Sequence, residues 1–343
     1  WCPPTTTVLP NNYASKPRFL PMVMSPFTTP PKLCCIMFVD ILTLPYLQRP
    51  LILLLILGIV GGSVGVLVNL RAMEFSVEAL VHSVFPGMVV GLALGGIDGI
   101  VPGAAVVAAV AAAALTFVTR RAAAEAGTAV VLTSFYGVGV VLSLAIGDYS
   151  GQLDALMFGR LLDVTDTRLI QTAVLSTAAL VILLVTWRKQ VAVAFDRNFM
   201  VAQHINVTLI DAALNAAIAA VVVVASSAVG VLLVIGYLII PGAAARLLAR
   251  TIPMMVGIAV AAGLTAAVIG VVAMNVDVGH QISPQAAVSL SLVAVFVIAI
   301  ALNTLRTTAR SAFRKAGAGA KAAKPASQSL QSEQSPQQAR TKE

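Results

Sequence analysis

Glu78 and His82 stand four residues apart in the stretch from Ser76 to Ile97, which is otherwise almost wholly apolar. A charged group in hydrocarbon costs roughly 3 kcal/mol on insertion scales, so an ionisable pair there is a functional-site candidate from the outset. Positions i and i+4 share a helix face, and a carboxylate oxygen beside an imidazole nitrogen suits a divalent transition metal. Neutral imidazole is the ligating form, so acid pH should compete with the metal. Pro86-Gly87 follows within about a turn. Pro86 has no N–H, which deprives the His82 carbonyl of its helical partner and predicts a kink. The bland alternative is that Glu78 and His82 merely hydrogen-bond between helices.

Two further segments carry residue types that could work together. In Gly230 to Arg246, Pro241-Gly242 predicts a second kink that frees the carbonyl of Tyr237, and Gly242 with Ala243, Ala244 and Ala245 allows close helix approach. Such a helix could move, or could simply pack tightly. Between Phe195 and Ile205 the sequence reads as a short helix outside the bilayer: Asp196 can cap it, and Phe195, Phe199 and Ala202 form one apolar stripe. That stripe could dock into a groove on a cytoplasmic partner or rest on lipid. His204, His280, Glu74 and Asp211 have simpler readings, Asp211 as the partner of a nearby Arg.

The elements that must position these residues are membrane helices. Of 343 residues, 59% are apolar and 10% charged, with a mean hydropathy of +0.94, against about 25% charged in soluble domains. At about 20 residues per span, the fold class is an all-α polytopic membrane protein with nine spans near 51–70, 76–97, 100–119, 126–147, 168–187, 207–225, 228–249, 254–275 and 284–304. Arg71, Arg120, Arg121, Arg188, Lys189, Arg197, Arg246, Arg250, Arg306 and Arg310 fall on one side, which is therefore expected to be cytoplasmic. Asp98, Asp148, Asp154, Asp163, Asp166 and Asp277 fall opposite, against Arg160 and Arg168, where their field would concentrate cations.

Outside the transmembrane domain, 37–305, two segments read differently. Residues 306–343 carry eight basic and two acidic residues, a surplus of six within the formal net charge of +8. This basic tail is expected to be disordered and cytoplasmic, attracted at most to anionic lipid, and it does not imply nucleic-acid binding. Residues 1–36, rich in Pro and Thr and lacking signal-peptide features, read as a disordered or spurious extension, with Met37 as the natural start. Cys2, Cys34 and Cys35 all lie there or just before the first span and support neither a disulfide framework nor a thiolate metal site.

From about Ile41 to Ala301 the chain resembles the permease subunits of bacterial ATP-binding-cassette importers for zinc, manganese and iron(II). The resemblance rests on Glu78, His82, Pro86 and Gly87; on Phe158-Gly159 with Leu161-Leu162; on Phe195-Asp196 with Ala202; and on Leu232 to Leu248 around Ile239-Ile240-Pro241. The family's acid at position 78 is usually Asp, an acid before the fourth span is matched by Glu125, the Gly that usually ends the cytoplasmic motif is Asn206, and the usual small residue at 237 is Tyr237. Asn206 still tolerates a left-handed helix cap.

The resemblance implies two permease subunits, a homodimer, forming a central path in the bacterial plasma membrane. A cytoplasmic ATPase would bind Phe195 to Asn206 as a coupling helix, and an external metal-binding protein would deliver the ion. Glu78 and His82, with Glu125 as a contributor, would form a transient metal site or gate, and no cofactor would be permanently bound. The chain contains no Gly-x-x-x-x-Gly-Lys-Ser/Thr loop, so ATP energy would come from a partner. Rival readings are a proton-coupled secondary carrier, an ABC permease for chelated iron or cobalamin, and an intramembrane hydrolase. The last is disfavoured because Ser83 directly follows His82 and cannot share its helical face.

Overall fold

A computed structural model of the chain describes residues 45–119, 124–146, 159, 161–162, 165–274 and 283–333. The segment 1–36, the cysteines, His280 and the acids Asp148, Asp154, Asp163 and Asp277 lie outside these residues. Apolar stretches that cross a bilayer must satisfy their own backbone groups, and helices do so within one segment. Ten helices follow in order: α1 Pro45–Leu70, α2 Glu74–Ser83, α3 Phe85–Val118, α4 Ala124–Ile146, α5 Asp166–Phe195, α6 Arg197–Ala202, α7 Val207–Val229, α8 Val231–Leu248, α9 Ile252–Met274 and α10 Pro284–Glu333.

Among the described residues, eight helical stretches are long and apolar enough to span a membrane, and one of them, Glu74–Val118, has 45 residues. That stretch folds back on itself at Gly96, whose φ of 62° and ψ of −149° break the helix. The two arms then pack as a hairpin. A Cβ on Gly91 would sit 2.2 Å from the Gly99 carbonyl oxygen, and one on Gly87 2.5 Å from that of Gly103. Among the described residues the chain therefore makes nine passes, as the hydropathy pattern predicts.

α1 and α7 are the buried heart of the bundle. α1 packs against α9, α8 and α5, while α7 packs against α5 and α3. Close approach on α1 comes from glycines at helical spacing, with Gly65 set against Leu238 and Gly242 of α8, where an added Cβ would lie 2.2–2.4 Å from a backbone oxygen. Buried polar side chains tie helices together. Asn69 donates through Nδ2 to the Ile239 carbonyl at 3.2 Å, and Asn215 donates through Nδ2 to Thr116 Oγ1 at 2.9 Å. At the opposite end, Gly159 (φ 77°) lies against Val229 and Gly230, Gln285 donates to its carbonyl at 2.9 Å, and Leu161 is fully buried.

Arginines gather at one end of the bundle, as the charge pattern predicts, but Arg49 sits at the other, 2.9 Å from Asp166. Two local features differ from expectation. The left-handed residue after α6 is His204 (φ 56°), not Asn206, because the Asn206 side chain accepts from the Leu209 amide and caps the start of α7. The basic tail carries helical backbone as far as Glu333, past the apolar stretch that ends at Thr308. Its Ala-Lys-rich composition favours helix.

Candidate metal site

α2 is only 10 residues long. It begins after the turn Arg71-Ala72-Met73, where Ala72 has a φ of 52°, and ends at Val84, just before Pro86. The ladder restarts with the Met88 amide donating to the Val84 carbonyl at 3.1 Å. The gap in the ladder falls at Val84, two residues after His82, where Pro86 supplies no N–H, and it sets off a short rod that carries both candidate ligands while the dihedrals at Val84 stay helical. Gly87 has a second task, contact with the return arm of α3.

On this rod the two side chains are disposed for ligation. His82 Nδ1 lies 2.9 Å from the Glu78 main-chain carbonyl. A carbonyl only accepts, so Nδ1 donates there; in the neutral ring this tautomer leaves the Nε2 lone pair for a metal. Tyr136 of α4 meets the ring edge-on at 5.8 Å and also faces Phe85 at 5.8 Å. The Glu78 carboxylate is exposed and has no hydrogen bond or ion pair among the described residues. Among the described residues the Glu78 carboxylate makes no inter-helical hydrogen bond.

Depth follows from helix rise. At 1.5 Å per residue, Glu78 stands about 6 Å and His82 about 12 Å along the rod from Glu74, short of the middle of an apolar layer about 30 Å thick. An exposed carboxylate at that depth is costly against lipid, so its face requires water or another protein surface. No group of three or more His, Cys, Asp or Glu side chains converges for a metal among the described residues. Glu78 and His82 are thus two potential donors, with no third His, Cys, Asp or Glu converging on them among the described residues.

Glu125 lies elsewhere. It begins α4 and lines a cavity of about 220 Å³ with Arg71, Ser76, Thr128, Arg197 and Asp211. Asp211, 5% exposed, is the anion of this region. Arg71 donates to its Oδ1, and Arg197 donates to its Oδ2 at 2.7 Å. Arg71 also donates to Gln190 Oε1 at 2.6 Å, and Gln190 donates to the Ile210 carbonyl at 2.8 Å. Burial holds the Arg71 guanidinium below its ordinary pKa, and Asp211 pulls it back up. The sequence marked Asp211 as an Arg partner; Gln190 and Tyr136 went unnoticed, because nothing in their spacing sets them apart.

α6 projects from the same end. Asp196 accepts from the Phe199 amide at 2.9 Å and starts the helix, and Met200 anchors it on Val193, Val207 and Ile210. Phe195 and Phe199 remain 74% and 57% exposed, and Ala202 is exposed beside them. Two bare aromatics, Phe195 at the end of α5 and Phe199 on the anchored α6, form an apolar patch of the kind that marks an interaction site. In α8, Tyr237 is fully buried inside the chain's own bundle, and Pro241-Gly242 lies at the tight crossing with α1.

The profile described as the ABC 3 transport family matches residues 43–303. The manganese transport system membrane protein MntC of Halalkalibacterium halodurans is 29% identical over 68% of this chain and 80% of its own length. The chelated iron transport system membrane protein YfeD of Yersinia pestis is 26% identical over 68% and 78%. Among solved structures, PsaBC from Streptococcus pneumoniae in complex with Fab superposes with a TM-score of 0.66 at 25% identity, covering 78% of this chain and 95% of that one.

Proposed function

This chain belongs to the ABC 3 transport family, and from that premise we propose that it is the membrane permease subunit of an ATP-driven importer for a divalent transition-metal ion. The observation that carries the reading is the pair on α2: an exposed carboxylate with no partner among the described residues and, one turn on, a half-buried imidazole whose Nδ1 is engaged by the Glu78 carbonyl and whose Nε2 has no hydrogen bond among those residues. A second copy of the chain, meeting the first across the face that carries this pair, would bring Glu78 and His82 together with their counterparts and complete a four-donor shell. Carboxylate plus imidazole accepts manganese, iron(II) and zinc alike. The relatives' names favour manganese or iron. A pathway site must also release its ion, which suits a shell shared between two subunits.

The remaining roles follow from position. Phe195, Asp196, Phe199 and Ala202 form the coupling surface for a cytoplasmic ATPase, placing the arginine-rich end and the C-terminus in the cytoplasm of the bacterial plasma membrane. An external metal-binding protein would deliver ions to the opposite end. Pro86-Gly87 delimits the ligand-bearing rod, while Pro241-Gly242 serves chiefly as a tight crossing. Glu125, facing two arginines, belongs with the charged cavity rather than the metal shell.

Elemental mass spectrometry tests this reading in a strain lacking the gene, complemented with wild type, Glu78→Ala or His82→Ala at equal expression. One of manganese, iron or zinc should fall in the deletion, recover with wild type and stay low in both variants. Recovery with the variants would make the pair structural.

A further inference from the structure

The turn that launches the ligand-bearing rod is joined to α6 through one buried carboxylate. Arg71 lies in that turn, between α1 and α2, and its side chain is 5% exposed. Its amide donates to the Leu67 carbonyl at 3.0 Å, and the Met73 amide to that of Val68 at 3.0 Å, so the turn is tightly closed. Asp211 uses Oδ1 for Arg71 and Oδ2 for Arg197, the first residue of α6. Gln190 braces Arg71 from α5. The two arms of the joint are unequal. Arg71 is sealed in, whereas Arg197 is 49% exposed and free to travel with α6.

The rod itself can respond. α2 follows the left-handed Ala72 and runs into Pro86, whose missing N–H leaves a gap in the ladder beside Val84; Val84 keeps helical dihedrals, and the gap is a point about which α2 can bend. One buried carboxylate holds both arginines, each through its own oxygen, so a displacement of Arg197 that keeps its contact shifts Asp211 and with it Arg71. We propose that Asp211 is a positioning residue that links movement of α6, through Arg197 and Arg71, to the tilt of the rod carrying Glu78 and His82. The proposal rests on the reading of α6 as the ATPase-facing helix.

The test uses the complete importer of permease, ATPase and binding protein in proteoliposomes, with Mn²⁺ as the probe. It records Mn²⁺ moved per ATP hydrolysed and Mn²⁺ held by the permease, the latter by electron paramagnetic resonance. Arg197→Gln should keep Mn²⁺ bound within about twofold of wild type while Mn²⁺ moved per ATP falls at least fivefold, and Asp211→Asn should fall further. A purely structural role would lower bound Mn²⁺ and yield of assembled complex and leave the ratio per ATP unchanged; that result overturns the link, as does a wild-type ratio in Arg197→Gln. If Asp211→Asn fails to assemble, Arg197→Gln decides alone, because its half-exposed side chain can be replaced without opening the core. Wild-type importer that hydrolyses ATP without moving Mn²⁺ would instead remove the functional reading on which the link depends.

Discussion

In the proposed metal site Glu78 and His82 are held unequally. His82 rests its Nδ1 against the Glu78 carbonyl of its own helix and its ring edge against Tyr136, whereas the Glu78 carboxylate has no partner among the described residues. Glu78→Gln removes the charge and keeps the shape, so Mn²⁺ binding to the purified permease should weaken at least tenfold with no change in thermal stability. Tyr136→Ala should cost less, a few-fold in affinity, because it loosens the ring's orientation without removing a donor. Titration followed by electron paramagnetic resonance distinguishes the two. The pair was legible because two ionisable residues at i and i+4 interrupt an apolar run. Tyr136 was not, since its contact with His82 joins residues 54 positions apart in sequence and leaves no periodic trace. Asp211 was half legible: an acid in an apolar helix demands a cation, but only the fold chooses Arg71 and Arg197 from ten candidates.

At the scale of the elements, glycines set where helices turn and cross. Gly96 reverses the chain with a φ of 62°, while its neighbour Gly95 has open space around it. Gly96→Ala should therefore destabilise by about 1–3 kcal/mol, because its positive φ with ψ near −150° is a region open almost only to glycine, and Gly95→Ala should be neutral in a detergent melting assay. Gly65→Val places a branched side chain against the Leu238 carbonyl, and overpacking of about 1–3 kcal/mol should lower the melting temperature or prevent assembly. Helix number and order were readable from hydropathy because the bilayer fixes span length. The gap in the ladder at Val84 was readable from Pro86. The tight α1–α8 crossing was readable only as a tendency, from small residues in each helix, because which stripes meet depends on tertiary packing. Asn206 misled in a definite way: the same side chain that tolerates a left-handed cap also caps a helix start, and α7 claimed it.

For the whole molecule, the asymmetry of charge predicts sidedness, with arginines gathered where α6 projects and the hairpin tip at Leu94, 85% exposed, at the far end. A cysteine at Leu94 should react with an impermeant maleimide added outside intact cells, and one at Phe199 only after lysis; bound ATPase should then protect Phe199→Cys from labelling. Arg49, paired with Asp166 at the acidic end, shows that single basic residues escape the rule when an acid neutralises them. On the reading proposed above, a second copy of the chain supplies the remaining donors, so one sequence names candidate ligands but not their full set, and energy coupling becomes the decisive property. The most direct test is Mn²⁺, Fe²⁺ and Zn²⁺ uptake into proteoliposomes holding the permease with and without its ATPase and binding protein. Uptake of one ion that requires all three proteins and ATP, and that disappears with Glu78→Gln, is the expected result; uptake by the permease alone, driven by a proton gradient and indifferent to ATP, would contradict it.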